Sequence, residues 1–206
     1  MKIIGITGGI GSGKSVVSGI FRQLGIPVYD ADKAVHTLYD RYPELVRRVS
    51  EEIGAEVVDA RGRIDRKKLG AAVFADQSLL KKLNKLVHPL VRKDFKDWSS
   101  QHRHAPYLLK EAAILFESST DKDCDAVITV VAPEELRIQR LRSRDQRSVA
   151  DIRKVMESQL SDEEKTARSQ FVIRNGESDA ILPQILAIHE SILDGLKNEL
   201  QEKEQR

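Results

Sequence analysis

The stretch Gly8-Gly9-Ile10-Gly11-Ser12-Gly13-Lys14-Ser15 constrains this chain more than any other, because it fits the spacing G-x-x-x-x-G-K-[ST]. Before it, Lys2-Ile3-Ile4-Gly5-Ile6-Thr7 reads as a buried strand. After it, Val16, Val17, Ile20, Phe21 and Leu24 recur at helical spacing. A strand, a glycine-rich loop and a helix N-terminus make a phosphate cradle, since unpaired backbone N–H groups and the helix dipole point at the anion. The glycines allow close backbone approach and positive φ. Lys14 is placed to reach the β- and γ-phosphates, and the Ser15 hydroxyl to hold Mg²⁺. The stretch predicts a nucleoside triphosphate site lined by Gly8, Gly11, Ser12, Gly13, Lys14, Ser15 and Val16.

Downstream, the chain builds a sheet around this loop. Gly25 is a natural helix stop, and Ile26-Pro27-Val28-Tyr29 reads as a second strand ending in Asp30-Ala31-Asp32. Strand, helix, strand is the signature of a parallel sheet, and in such sheets ligands sit outside the carboxyl ends of the strands. The glycine-rich loop and the Asp30/Asp32 pair both fall at that edge. One carboxylate there would accept a proton from an attacking hydroxyl or help hold a metal's water shell. The other would cap the next helix, expected from Ala31 to Tyr39. Position in the sequence does not choose between them.

From Arg41 to Ala105 the pattern is helical without strands. Pro43 to Ile53 carries Leu45, Val46, Val49 and Ile53 on one face. Glu56 to Gly62 mimics a metal-binding strand, but its apolar run is too short for a buried one, so a turn is expected. Asp76 opens a long helix whose buried stripe is Leu79, Leu83, Leu86, Val87, Leu90 and Val91, with Pro89 inside it. Lys81, Lys85, Arg92 and Lys96 gather on the far face and His88 lies at its edge. A solvated basic face accounts for these residues; an anion-binding wall is the alternative. His36, His102, His104 and His189 show no ligand spacing.

Tyr107-Leu108-Leu109 resumes the sheet. Glu111, near the end of that strand, suits the role of ordering a Mg²⁺ hydration shell. Ala126 to Val131 is the clearest buried strand, and Pro133 opens a helix with Glu134 and Glu135 at its positive end. On that helix Arg137, Arg140 and Arg144 share an arc of about 60°. Like charges on one helix face cost about 0.2–0.5 kcal/mol per pair, so three together point to a polyanion between them. Arg147 and Arg153 come next in a polar helical stretch, which suits a closing lid that excludes water. Phe171-Val172-Ile173-Arg174 makes a fifth strand, Asn175-Gly176 turns the chain, and a final helix from about Ser178 ends in a charged, frayed tail from Glu199 to Arg206.

Composition narrows the class. With 34 basic and 32 acidic residues the net charge is +2, which gives no reason to expect a bulk nucleic-acid or membrane partner. No obligate protein partner is evident. The single Cys124 cannot form an internal disulfide, and with no signal peptide or long apolar run a reducing, cytoplasmic setting is expected. The expected architecture is α/β: a three-layer P-loop nucleotide-binding core with a five-stranded parallel sheet, made of residues 1–30, 105–138 and 166–206. A helical acceptor-binding insertion spans 31–104, and a small helical lid spans 139–165. That arrangement is expected of a small-molecule kinase, with ATP on one side and the acceptor on the other. A nucleotide-dependent switch is the rival class, but the guanine-reading N-K-x-D is missing: Asn84-Lys85-Leu86-Val87 lacks the acid.

These residues resemble the dephospho-coenzyme A kinase family. The likeness runs through Thr7 to Ser15, Asp30-Ala31-Asp32, Gly62-Arg63-Ile64-Asp65-Arg66 and Leu69, and His88-Pro89. It continues through Leu115-Phe116-Glu117, Arg140, Arg144-Asp145, Gln159, Lys165 and Asn175-Gly176. The resemblance implies transfer of the ATP γ-phosphate, with Mg²⁺, to the ribose 3′-hydroxyl of dephospho-coenzyme A, the last step of coenzyme A synthesis. It makes Asp32 the general base, Arg140 the phosphate-stabilising arginine and Arg144 the lid arginine. Arg66 and His88 fall to acceptor binding, and Asn175 and Gly176 lie near adenine. Two departures are visible: Ala113-Ile114 replaces a usual proline before Leu115-Phe116-Glu117, and Glu111 stands where an aspartate is usual. A nucleoside or nucleoside-monophosphate kinase shares the same architecture.

Overall fold

The computed structural model describes residues 1–145 and 148–204. It divides into two compact units, one of Met1–Val28 with His102–Arg206 and one of Tyr29–Gln101.

Four of the five strands of the sheet lie wholly in the first unit. Strands β1 (Lys2–Thr7), β2 (Val28–Asp30), β3 (Tyr107–Glu111), β4 (Ala126–Val131) and β5 (Phe171–Arg174) lie in the order β2-β3-β1-β4-β5. The pairings of β1 with β3, β1 with β4, and β4 with β5 are parallel. The central strand is covered on both faces, so it reads as a nearly unbroken apolar run rather than an alternating one. The register sets Ile6 opposite Glu111, and Thr7 opposite Thr129. The end of β3 therefore lies beside the start of the glycine-rich loop, and β4 runs two residues past it.

On one face of the sheet, Ile4, Ile6, Tyr107, Leu109, Ile128, Val130 and Ile173 pack with Val17 and Phe21 of α1 (Lys14–Gln23). Ile185, Ile188 and Ile192 of the last helix, Ile181–Glu204, complete that core. Removing one of these side chains costs about 2–5 kcal/mol where the cavity cannot collapse. That helix runs to Glu204, within the stretch where a frayed tail was expected; its Lys, Glu, Gln and Leu residues are good helix formers. Tyr107 and His189 meet beneath the sheet, with Oη and Nδ1 2.7 Å apart. Cys124 lies beside the backbone of Gly5, and burial pushes its thiol up to about 11, so it is not a nucleophile at neutral pH.

The second unit is helical: α2 (Ala31–Arg41), α3 (Pro43–Ile53), α4 (Arg66–Ala75) and α5 (Gln77–Ser100). Their buried faces meet through Leu38, Leu45, Val49, Ile53, Val57, Leu69, Val73, Leu86 and Val87. The helix starts arise from local chemistry. Asp65 accepts from the backbone N–H groups of Lys67 and Lys68, and Asp76 from that of Ser78. Pro43 sits in the first turn of α3, where its missing N–H leaves no bond unmade. The stretch from Glu56 to Gly62 forms no strand of the sheet: a 3-10 turn at Ala55–Val57 leads into a tight turn at residues 60–62. Asp59 accepts from the N–H groups of Arg61 and Arg63, and a single antiparallel bridge joins Val58 to Ile64.

Three short helices lie between β4 and β5 in the first unit: α6 (Glu134–Asp145), α7 (Val149–Glu157) and α8 (Asp162–Ala167). Arg147 lies outside the described residues. Among the described residues, no helix is long and apolar enough to cross a membrane.

Candidate active site

Chain geometry at the glycine-rich loop is set by two close approaches. Gly13 has a left-handed φ of 98° and ends the loop as the residue before α1. A Cβ there would fall 2.1 Å from Asn175 Nδ2, whose amide donates to Ser12 O at 2.7 Å. Only glycine meets both demands. Gly9 is constrained from the other side, where a Cβ would stand 2.2 Å from the Arg137 guanidinium. The loop closes on itself through Ser12 N–H donating to Gly9 O at 3.1 Å, and Val16 N–H to Gly13 O at 3.0 Å.

Lys14 Nζ donates to Gly8 O at 2.9 Å, so the lysine lies along the loop rather than away from it. Ser15, in the first turn of α1, donates its hydroxyl to Glu111 Oε1 at 3.1 Å. Glu111 is 4% exposed, and its second oxygen is buried with no hydrogen-bond partner among the described residues. A buried carboxylate oxygen left without a partner is costly. Beside the Ser15 hydroxyl, it has the chemistry to bind a hydrated cation. The side chain of Val16 is exposed at the start of α1.

The three arginines of α6, expected to face one polyanion, have different partners in the structure. Arg137 is buried; its Nε donates to Ile10 O at 2.9 Å and its Nη1 pairs with Asp162 at 3.2 Å. Arg140 donates from Nη2 to Asn175 O at 3.1 Å, while its Nη1 is buried and unpartnered among the described residues. Arg144 is exposed and forks onto Asp145, at 2.6 and 2.8 Å, which raises its pKa further. Tertiary contacts thus commit Arg137 to structure and leave Arg140 with a donor to spare. Asn175 joins the set by accepting from Arg140 and donating to Ser12, and Gly176 N–H is held by Asp179 at 2.7 Å.

In the second unit, Asp30 is the N-cap of α2. Its carboxylate accepts from Lys33 N–H at 2.9 Å and pairs with Lys33 Nζ at 3.3 Å. Asp32 stands exposed in the first turn of the same helix. The ambiguity that sequence position left open is thereby reduced: Asp30 serves as the cap and Asp32 does not. His36, one turn further along α2, has a buried Nδ1 with no hydrogen-bond partner among the described residues. Burial first, and then the Arg66 guanidinium, hold its pKa below the usual imidazole value. Arg66 is exposed at the start of α4, and His88 is half-buried on α5.

A parallel sheet whose first strand runs through a phosphate loop into a helix, with a carboxylate at the end of a neighbouring strand and arginines on a later helix, defines a P-loop kinase. The particular family emerges from comparison with known proteins. The family model for dephospho-CoA kinase matches residues 2–180. A dephospho-CoA kinase of Bacteroides fragilis is 38% identical over 185 residues, covering 90% of this chain and 90% of that protein. One from Porphyromonas gingivalis is 39% identical over 193 residues, covering 93% and 95%. The crystal structure of TT1252 from Thermus thermophilus is similar with a TM-score of 0.81 at 33% identity, covering 95% of this chain and 97% of that one. Dephospho-CoA kinase from Campylobacter jejuni has a TM-score of 0.65 at 26% identity, covering 94% and 98%. The chain belongs to the dephospho-CoA kinase family, and it is a kinase.

Sequence reasoning missed the contacts of Gln159, whose Oε1 accepts from the N–H of Ile10 at 2.9 Å. Nothing local signals a contact across 149 residues of chain; only the family resemblance singles this residue out.

Proposed function

We infer that this chain performs the reaction of its family, ATP-dependent phosphorylation of dephospho-CoA in coenzyme A biosynthesis, at the ribose 3′-hydroxyl, with the residues assembled around its phosphate loop. The observation that carries the reading is the joined set of Lys14, Ser15, Glu111, Arg140 and Asn175, in which the groups without partners are an anion's donor and a cation's acceptor.

Backbone N–H groups of the glycine-rich loop, other than that of Ile10, which Gln159 holds, bind the triphosphate of ATP, and Lys14 leaves Gly8 O to reach the β- and γ-phosphates. Ser15 and Glu111 would hold magnesium with its water shell, which neutralises charge between the β- and γ-phosphates. Among the described residues no three His, Cys, Asp or Glu side chains cluster as a metal cage. Arg140 donates its spare Nη1 to the transferring phosphoryl group, where charge develops.

Asp32 accepts the proton of the attacking 3′-hydroxyl. As that O–H bond breaks, the oxygen forms its bond to the γ-phosphorus, and the bond from the γ-phosphorus to the bridging oxygen breaks to release ADP. Arg66 and His88 bind the acceptor. Arg144, in the lid segment, exchanges Asp145 for phosphate. Asn175 and Gly176 lie against the adenine. The setting is cytoplasmic, the partner a small molecule rather than nucleic acid or membrane.

The test is a coupled ADP-release assay with dephospho-CoA set against a panel of nucleosides, nucleoside monophosphates and other small alcohols. Turnover with dephospho-CoA that disappears in Lys14→Ala is the expected result. Turnover with a nucleoside monophosphate in preference, or slow hydrolysis without any acceptor, would replace this reading.

A further inference from the structure

Ile10 sits at the crest of the phosphate loop, and both of its peptide groups are held by side chains from distant parts of the chain. Its N–H donates to Gln159 Oε1 at 2.9 Å, and its carbonyl accepts from Arg137 Nε at 2.9 Å. The phosphate-binding reading does not use these two residues. Gly9, Gly11 and Gly13 supply no side chains with which the loop could brace itself.

The two bonds fix two peptide planes. In a trans peptide the carbonyl and the N–H point in opposite directions. Holding the Ile10 carbonyl against Arg137 therefore turns the Gly11 N–H to the opposite side. Holding the Ile10 N–H against Gln159 likewise turns the Gly9 carbonyl inward, where it accepts from Ser12 N–H at 3.1 Å. A loop of glycines has many conformations of similar energy. External clamps on its one branched residue select the one in which the amides converge.

The clamp is itself anchored. Arg137 Nη1 pairs with Asp162 at 3.2 Å, at the start of α8. Leu160, next to Gln159, donates its N–H to Glu117 Oε1 at 2.9 Å, and the fully buried Lys165 lies 3.1 Å from the same oxygen. A reciprocal capping box between Ser161 and Glu164 holds α8 rigid. Gln159 thus stands on a fixed support between α7 and α8.

We propose that Gln159, seconded by Arg137, is a positioning residue for the nucleotide: it holds the crest of the phosphate loop in the anion-binding conformation. This rests on the nucleotide-binding reading of the loop. Removing the acceptor lets the Ile10 peptide rotate, and the entropy of ordering it then opposes nucleotide binding.

The experiment compares wild type with Gln159→Met, which has similar length and no strong acceptor, and Gln159→Glu, which keeps an acceptor oxygen. ADP affinity is measured by calorimetry, with KM for ATP and for dephospho-CoA and the thermal midpoint alongside. Gln159→Met is expected to weaken ADP and raise the ATP KM about tenfold, the cost of one lost hydrogen bond and a stranded donor. The acceptor KM and the thermal midpoint should stay near wild type, and Gln159→Glu should recover most of the ADP affinity. ADP affinity unchanged in Gln159→Met overturns the proposal. So does a joint loss of affinity and thermal stability that Gln159→Glu shares, which would make the residue a packing element only. If wild type itself binds no ADP, the nucleotide reading of the loop fails first, an outcome visible before any variant is compared.

Discussion

The Ser15 hydroxyl donates to Glu111 Oε1 across 3.1 Å, joining the first turn after the phosphate loop to the end of β3. The parallel register of β1 with β3 makes this meeting possible, since it sets Glu111 beside Ile6, two residues before the loop begins. Oxygens from two elements thus converge at one point, and Glu111 Oε2 is buried there without a partner among the described residues.

If Glu111 orders the shell of a divalent cation, Glu111→Gln keeps the shape and loses the charge. The Mg²⁺ concentration for half-maximal activity is expected to rise about 10–100-fold, the usual cost of an outer-shell partner. ADP affinity measured in EDTA should change little. A titration of activity against Mg²⁺ checks this; an unchanged midpoint would remove Glu111 from the metal.

Asp32→Asn removes the proton acceptor while leaving the first turn of α2 and its Asp30 cap in place. Turnover should fall about 10²–10⁴-fold, the range for a general base, with the calorimetric Kd for ATP within about twofold of wild type, because a proton acceptor acts on the transition state rather than on nucleotide binding. Asp30→Asn keeps a capping oxygen, so it should retain both helix and turnover. Wild-type kcat in Asp32→Asn would assign the proton elsewhere.

Lys165 is fully buried and pairs with Glu117 at 3.1 Å, close enough for attraction though not aligned as a hydrogen bond. Breaking such a pair strands the remaining charge, so Lys165→Met should cost about 3–5 kcal/mol in urea unfolding. The double variant Lys165→Met with Glu117→Gln removes both charges and should regain a large part of that loss. A single variant as stable as wild type would show the carboxylate is otherwise satisfied.

His36 makes stability depend on pH. Burial and Arg66 lower its pKa below the ordinary 6.5, while Asp30 and Asp40 act the other way. The unfolded chain then takes up a proton that the folded chain refuses, so this contribution is complete above pH 6.5 and is lost as pH falls through the folded value. The thermal midpoint should decline between about pH 7 and pH 5, the side of the histidine range where protonation sets in, and decline less in His36→Gln. Parallel curves for the two proteins would place the dependence on other groups.

Much of the fold was legible because its signals are local. The five strands show as apolar runs, and the phosphate loop is written in the spacing of Gly8, Gly13, Lys14 and Ser15. Helix starts at Pro43 and Asp76 come from the chemistry of single residues. Helical periodicity also put Arg137, Arg140 and Arg144 on one arc, but it could not say what each one touches. One arginine holds Ile10 and Asp162, the next holds Asn175, and the third pairs with Asp145. Asp30 and Asp32 were equivalent as letters until the cap geometry of α2 separated them.

The sequence by itself determined the elements, their order and the phosphate-binding chemistry, because backbone sterics and apolar periodicity act over a few residues. Only the tertiary structure decided which polar groups satisfy one another and which keep a donor or acceptor to spare. Those pairings join positions far apart in the chain, as Gln159 and Ile10 are, and packing alone brings such partners within hydrogen-bonding range.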